Sequence, residues 1–242
     1  MQQISLAESG YGRSRKVTRK QVFLAEMEQV VPWDRLVARI APHYPVAGKG
    51  TQPYPLLVML RIHLMQQWFG YSDPAMEEAL HDIPVLRRFA GLDAGESRLA
   101  DETTILRFRR LLEKHDLARS LFNEVTALLA EQGLLLRSGT IVEATLLAAA
   151  PSTKNRERKR DPEMSQTKKG QPWYFGMKAH IGADADSGLV HTVVGSTATL
   201  GDAKVCDQLL HGDEQIVRGD RAYASTVRQV DAPREDGEPL YA

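Results

Sequence analysis

Apolar positions in the first half of the chain recur at three- and four-residue intervals, the period of helices with one buried face. Near residue 138 this pattern gives way to short β-branched runs. In "YPLLVMLRIHLMQQWFG", Leu57, Leu60, Leu64 and Trp68 fall on one helical face, and Gly70 ends the helix. "YSDPAMEEALHDIP" predicts a second helix, with Ser72 or Asp73 as cap, Pro74 in the first turn and a stop before Pro84. "ADETTILRFRRLLEKHD" predicts a third behind Asp101, with Ile105, Phe108, Leu111 and Leu112 on one face, and "LARSLFNEVTALLAEQG" a fourth that ends at Gly133.

The second half reads in a different order. "GTIVEATLLAA" is strand-like, "WYFGMKAHIGADADSGLVHTVVGST" is two strands around the turn "DADSG", "DAKVCDQLLHG" is a helix capped by Asp202, and "EQIVRGDRAY" is a short strand ending at Asp220. The segment "PSTKNRERKRDPEMSQTKKGQPW" has few apolar residues and is expected to be a surface loop. The pattern predicts an α+β chain, with a helical domain over residues 1–136 and an α/β domain over 137–242.

Composition narrows the possibilities only modestly. With 242 residues, 43% of them hydrophobic, the chain can fill a proper core. The formal net charge is zero, so any charged partner must be read from local clusters such as "GRSRKVTRKQ", which has five cations and no acid. The single cysteine, Cys206, excludes an intramolecular disulfide and is expected to be a small buried hydrophobe. No run approaches the roughly 18 apolar residues of a membrane span, and the polar start lacks a secretion signal; both point to a cytoplasmic protein.

Two acids stand out. Glu143 sits alone in an apolar run, where a carboxylate needs a partner, a metal or solvent, and Asp220 closes "QIVRGD". If their strands are neighbours in one sheet, both carboxylates can share a divalent cation. Mg²⁺ or Mn²⁺ suits such a site, because Mg²⁺ is usually held by one or two carboxylates plus waters and substrate phosphates. Two such ions about 4 Å apart support in-line phosphoryl transfer. On position alone, Asp220 could equally close a strand or cap a helix.

The basic loop also has two readings. A charge run is ordinarily a solvated surface, but Lys154, Arg156, Arg158, Lys159, Arg160, Lys168 and Lys169 flank the candidate acidic edge and precede Trp173, Tyr174 and Phe175. Cations for phosphates beside aromatics for bases are what a DNA channel requires, although the aromatics themselves are expected to be core. His63 is expected to be structural, and His180 and His191 lie on hairpin strands with no assigned role.

These segments together resemble the DDE-type transposases of bacterial insertion sequences, in the IS-five-type group. The resemblance rests on "YSDPAMEEALHDIPVLRRFAGL", "DETTILRFRRLLEKH", "GTIVEATLLAAAPSTKN", "RDPEMSQTKKGQPWYFGMKAHIGADADSGLVHTVVG" and "GDRAY", in the family's order. It implies a helical N-terminal domain that recognises element ends and an RNase H-like domain with a mixed sheet, in which two Asp and one Glu bind two Mg²⁺ ions. Glu143 falls where the first Asp normally stands, and Asp220 matches the second. The family's final Glu lies on a helix downstream, whereas the acids after Asp220 here, Asp231, Glu235, Asp236 and Glu238, belong to a Pro- and Gly-containing tail. The resemblance therefore implies a truncated RNase H-like domain with exposed apolar surface. The implied reaction is metal-dependent hydrolysis and strand transfer. The alternative is an inactive remnant that binds element ends or depends on a complementing chain. The implied partner is double-stranded DNA at insertion-sequence ends, with self-association into a homo-oligomer left open and no membrane.

Overall fold

The computed structural model describes residues 16–48, 52–92, 98–151, 153–154, 158–168, 170–220 and 223. The chain divides into two compact units, residues 1–128 and 129–242.

The helical unit contains α1 (Arg19–Val30), α2 (Trp33–Ile40), a 3₁₀ turn (Ala41–His43), α3 (Leu56–Phe69), α4 (Asp73–Asp82), α5 (Pro84–Ala90) and α6 (Glu102–Lys114), and α7 (Leu117–Glu131) begins within it. The expected punctuation is present. Gly70 ends α3 at φ 67°, Ser72 accepts from the Ala75 N–H at 3.4 Å, and the Asp101 carboxylate accepts from the Thr104 N–H at 2.7 Å. Among the described residues there are seven α-helices here rather than the expected four. Helix α1 buries only Leu24 and has no strong apolar stripe; a capping box between Thr18 and Gln21 marks its start instead. Helix α5 escapes notice because Pro84 ends one helix and also serves as the first residue of the next.

The expected face of α3 needs correction. Of Leu57, Leu60, Leu64 and Trp68 only Leu60 is buried, whereas Val58, Met59, Ile62, Met65 and Gln66 are buried as well. Helix α3 lies at the centre of its unit and is apolar over most of its circumference, so no single stripe identifies the core side.

The second unit is built on a five-stranded mixed sheet: β1 (Gly139–Ala148), β2 (Ser165–Lys168), β3 (Trp173–Asp184), β4 (Val190–Thr197) and β5 (Ile216–Gly219). The long strand β3 pairs antiparallel with β1 along one edge. Its other edge takes β2 on the first residues and β4 on the rest. Strand β5 lies parallel to β1, from Gly139 opposite Ile216 to Val142 opposite Gly219. The segment expected to be only a surface loop therefore contributes β2, a strand half-buried at alternate positions.

A 3₁₀ turn (Asp202–Lys204) leads into the short helix α8 (Cys206–Leu209). Asp202 is not its cap, contrary to expectation; its carboxylate instead accepts from Lys178 Nζ at 2.8 Å. Val142, Val217 and Tyr223 close a core against Val205, Cys206 and Leu209, and Cys206 is fully buried as expected. Gly182 makes this approach possible, since a Cβ there would lie 2.4 Å from the Leu209 carbonyl oxygen. The opposite face of the sheet leaves Ile141, Leu147 and Val193 exposed.

Candidate active site

Strand β1 alternates strictly where its chemistry lies. Val142 is 2% exposed and faces α8, whereas Glu143 is exposed. Ile141 and Leu147 share the Glu143 face and are exposed as well, so the run is apolar on both faces and the Glu143 carboxylate meets solvent, one of the outcomes its position allowed.

The parallel register ends at Val142 and Gly219, and the next residue of each strand is an acid, Glu143 and Asp220. Both are exposed, and alternation puts both on the face opposite the buried Val142 and Val217. Gly219 permits this close junction: a Cβ there would meet Val142 Cγ2 at 2.7 Å and Tyr223 Cβ at 3.3 Å. Beyond Asp220 the chain turns, and the Tyr223 N–H donates to the Asp220 carbonyl at 3.0 Å.

Behind the acids, on the α8 side, lies a buried polar group built around His180, to which the sequence assigned no role. His180 is fully buried, with Nε2 2.8 Å from Ser196 Oγ and Nδ1 3.3 Å from the Tyr223 hydroxyl. Asp202 lies 3.9 Å from His180 Nδ1 and holds Lys178. Burial pushes the His180 pKa below the ordinary imidazole value; the Asp202 charge opposes the shift and Lys178 adds to it. The Tyr223 hydroxyl is pushed up by burial and then by the charges of Asp202, Asp220, Cys206 and Glu143. His191 lies elsewhere, bonded to Thr140 at 3.2 Å, and His63 packs edge-on against Phe108 in the helical core.

Lys154, Arg158, Lys159, Arg160 and Lys168 are exposed, whereas Arg156 and Lys169 lie outside the described residues. They follow the C-terminal end of β1, whose last residue, Ala148, is five positions beyond Glu143, about 17 Å along an extended strand. Arg160 stacks over Phe175, 5.5 Å from the ring centre. Phe175 is buried as expected, but Trp173 is 68% exposed, which corrects its assignment to the core.

Two exposed acids at consecutive register positions of neighbouring strands suit a hard divalent cation that keeps water and takes further oxygen ligands from phosphate. Among the described residues no group of three or more His, Cys, Asp or Glu side chains could hold a metal.

Comparison with known proteins decides the wider identity. Residues 13–111 match the family model described as Transposase domain (DUF772), and residues 135–237 match the model described as Transposase DDE domain. The chain belongs to the DDE-type transposases. Membership gives it a role in DNA transposition, DNA as its substrate and a general dependence on divalent metal. No solved structure matches the chain. Among the described residues no helix is long and apolar enough to cross a membrane.

Proposed function

We propose that Glu143 and Asp220 are the metal-holding acids of this transposase, of the IS-five-type group, and that it acts in the cytoplasm on the ends of an insertion sequence. The observation that supports this reading is the register: the parallel pairing of β1 with β5 stops one residue before each acid, and both acids are exposed.

A divalent ion, Mg²⁺ or Mn²⁺, when bound supplies charge stabilisation to the attacked phosphodiester and activates the attacking oxygen. The chain's own residues have separate tasks. Glu143 and Asp220 would hold the ion through their carboxylates, with the Asp220 carbonyl accepting from the Tyr223 N–H. Lys154, Arg156, Arg158, Lys159, Arg160, Lys168 and Lys169 neutralise DNA phosphates beyond the end of β1, and the exposed Trp173 ring is available to stack on a base. The helical part, residues 1–136, recognises the element ends.

A second reading is binding to element ends without cleavage. Incubation of the full chain with labelled element ends and Mg²⁺ or Mn²⁺ separates the two. Nicking that disappears in Asp220→Asn supports the catalytic reading. A salt-sensitive gel shift with no nicking supports binding alone.

A further inference from the structure

The buried polar group behind the acids has no part in the ligation just described, yet it is built to one plan. His180 stands in register with Ala144 of β1 and Val194 of β4, both of which pack on the α8 core. A histidine in that position is costly unless both ring nitrogens are satisfied, and here both are. Ser196 Oγ donates to the Thr197 carbonyl at 3.2 Å, leaving its lone pairs to accept from His180 Nε2 at 2.8 Å. That assigns the proton of a neutral ring to Nε2 and makes Nδ1 an acceptor for the Tyr223 hydroxyl at 3.3 Å.

Tyr223 is the link to the site. It is 1% exposed, it packs over Gly219, and its N–H donates to the carbonyl of Asp220. The hydroxyl therefore ties the turn bearing Asp220 to the middle of the sheet, across β3 to β4.

We infer that Tyr223 and His180 are positioning residues of the metal centre: the Tyr223–His180–Ser196 chain of hydrogen bonds fixes the turn after β5, so that the Asp220 carboxylate stays beside Glu143. The inference rests on the acid-pair reading above. Groups that orient metal ligands typically change metal affinity 10–100-fold when removed.

The test is Mn²⁺ binding to the full chain, read from loss of the free-ion electron paramagnetic resonance signal, alongside thermal unfolding of the same samples. Tyr223→Phe keeps the ring and removes only the hydroxyl, and Ser196→Ala removes the far anchor. Mn²⁺ affinity is expected to fall about 10-fold in Tyr223→Phe and by a smaller factor in Ser196→Ala. In an Asp220→Asn background, Tyr223→Phe should cause no further loss, because it acts through that carboxylate. The ¹⁵N resonance of His180 Nδ1 should shift in Tyr223→Phe as its donor is lost. Unchanged Mn²⁺ affinity in folded Tyr223→Phe and Ser196→Ala, with only a lower melting temperature, would overturn the inference while leaving the acid pair intact. Unchanged affinity in Asp220→Asn would instead remove the acid-pair reading, and the inference with it.

Discussion

At the scale of single residues, burial separates the acids into those that hold the fold and those available to a ligand. Asp184 is 1% exposed and accepts from the backbone N–H groups of Leu136 (2.5 Å), Arg137 (3.1 Å), Asp186 (2.9 Å) and Ser187 (3.2 Å). Burial pushes its carboxyl pKa upward, but the four donors outweigh that and hold it at about 2, below the ordinary 3.8. The sign follows from linkage. Asp184 contributes stability above pH 3.8 that is lost as pH falls toward 2, an amount of roughly 2 kcal/mol. Asp184→Asn should lower stability by about 2 kcal/mol in urea unfolding at neutral pH and flatten the acid limb of the stability profile. Glu143 is the opposite case. Being exposed, Glu143→Gln should leave stability within about 0.5 kcal/mol of the parent while weakening Mn²⁺ binding.

At the scale of elements, local signals set the helix ends and close packing sets the sheet. Asp101→Ala removes the cap of α6 and should cost about 1 kcal/mol, measurable by urea unfolding. Gly182→Ala should cost more, about 1–3 kcal/mol, because its new methyl group meets backbone at 2.4 Å and α8 must shift away from β3. These elements also show how far the sequence could be read. Caps and stop signals at Gly70, Ser72, Asp101 and Gly133 are chemical and local, so those helix ends were legible. Helix α1 and strand β2 were not, because each buries too little to leave a clear apolar period. Glu143 and Asp220 were legible as anomalous acids at strand positions, but their adjacency depends on the parallel register of strands far apart in sequence. No role could be read for His180, Tyr223 or Asp184 for the same reason: their partners come from other strands and turns.

At the scale of the molecule, zero net charge means that any affinity for DNA must come from clustered cations rather than from the overall field. Arg158, Lys159 and Arg160 are consecutive and exposed, and they follow the end of β1, the strand that carries Glu143. Replacing all three with Ala should weaken DNA binding nearly uniformly across sequences. It should also reduce the slope of log affinity against log salt by about 2–3, measured by fluorescence anisotropy at several salt concentrations.

The proposed site has two carboxylates, from β1 and the end of β5, that share a divalent cation. The most direct measurement is a Mn²⁺ titration of the folded chain beside Glu143→Gln and Asp220→Asn. Either substitution alone should weaken one Mn²⁺ site at least 10-fold without loss of fold. Equal Mn²⁺ affinity in the parent and both variants would contradict it.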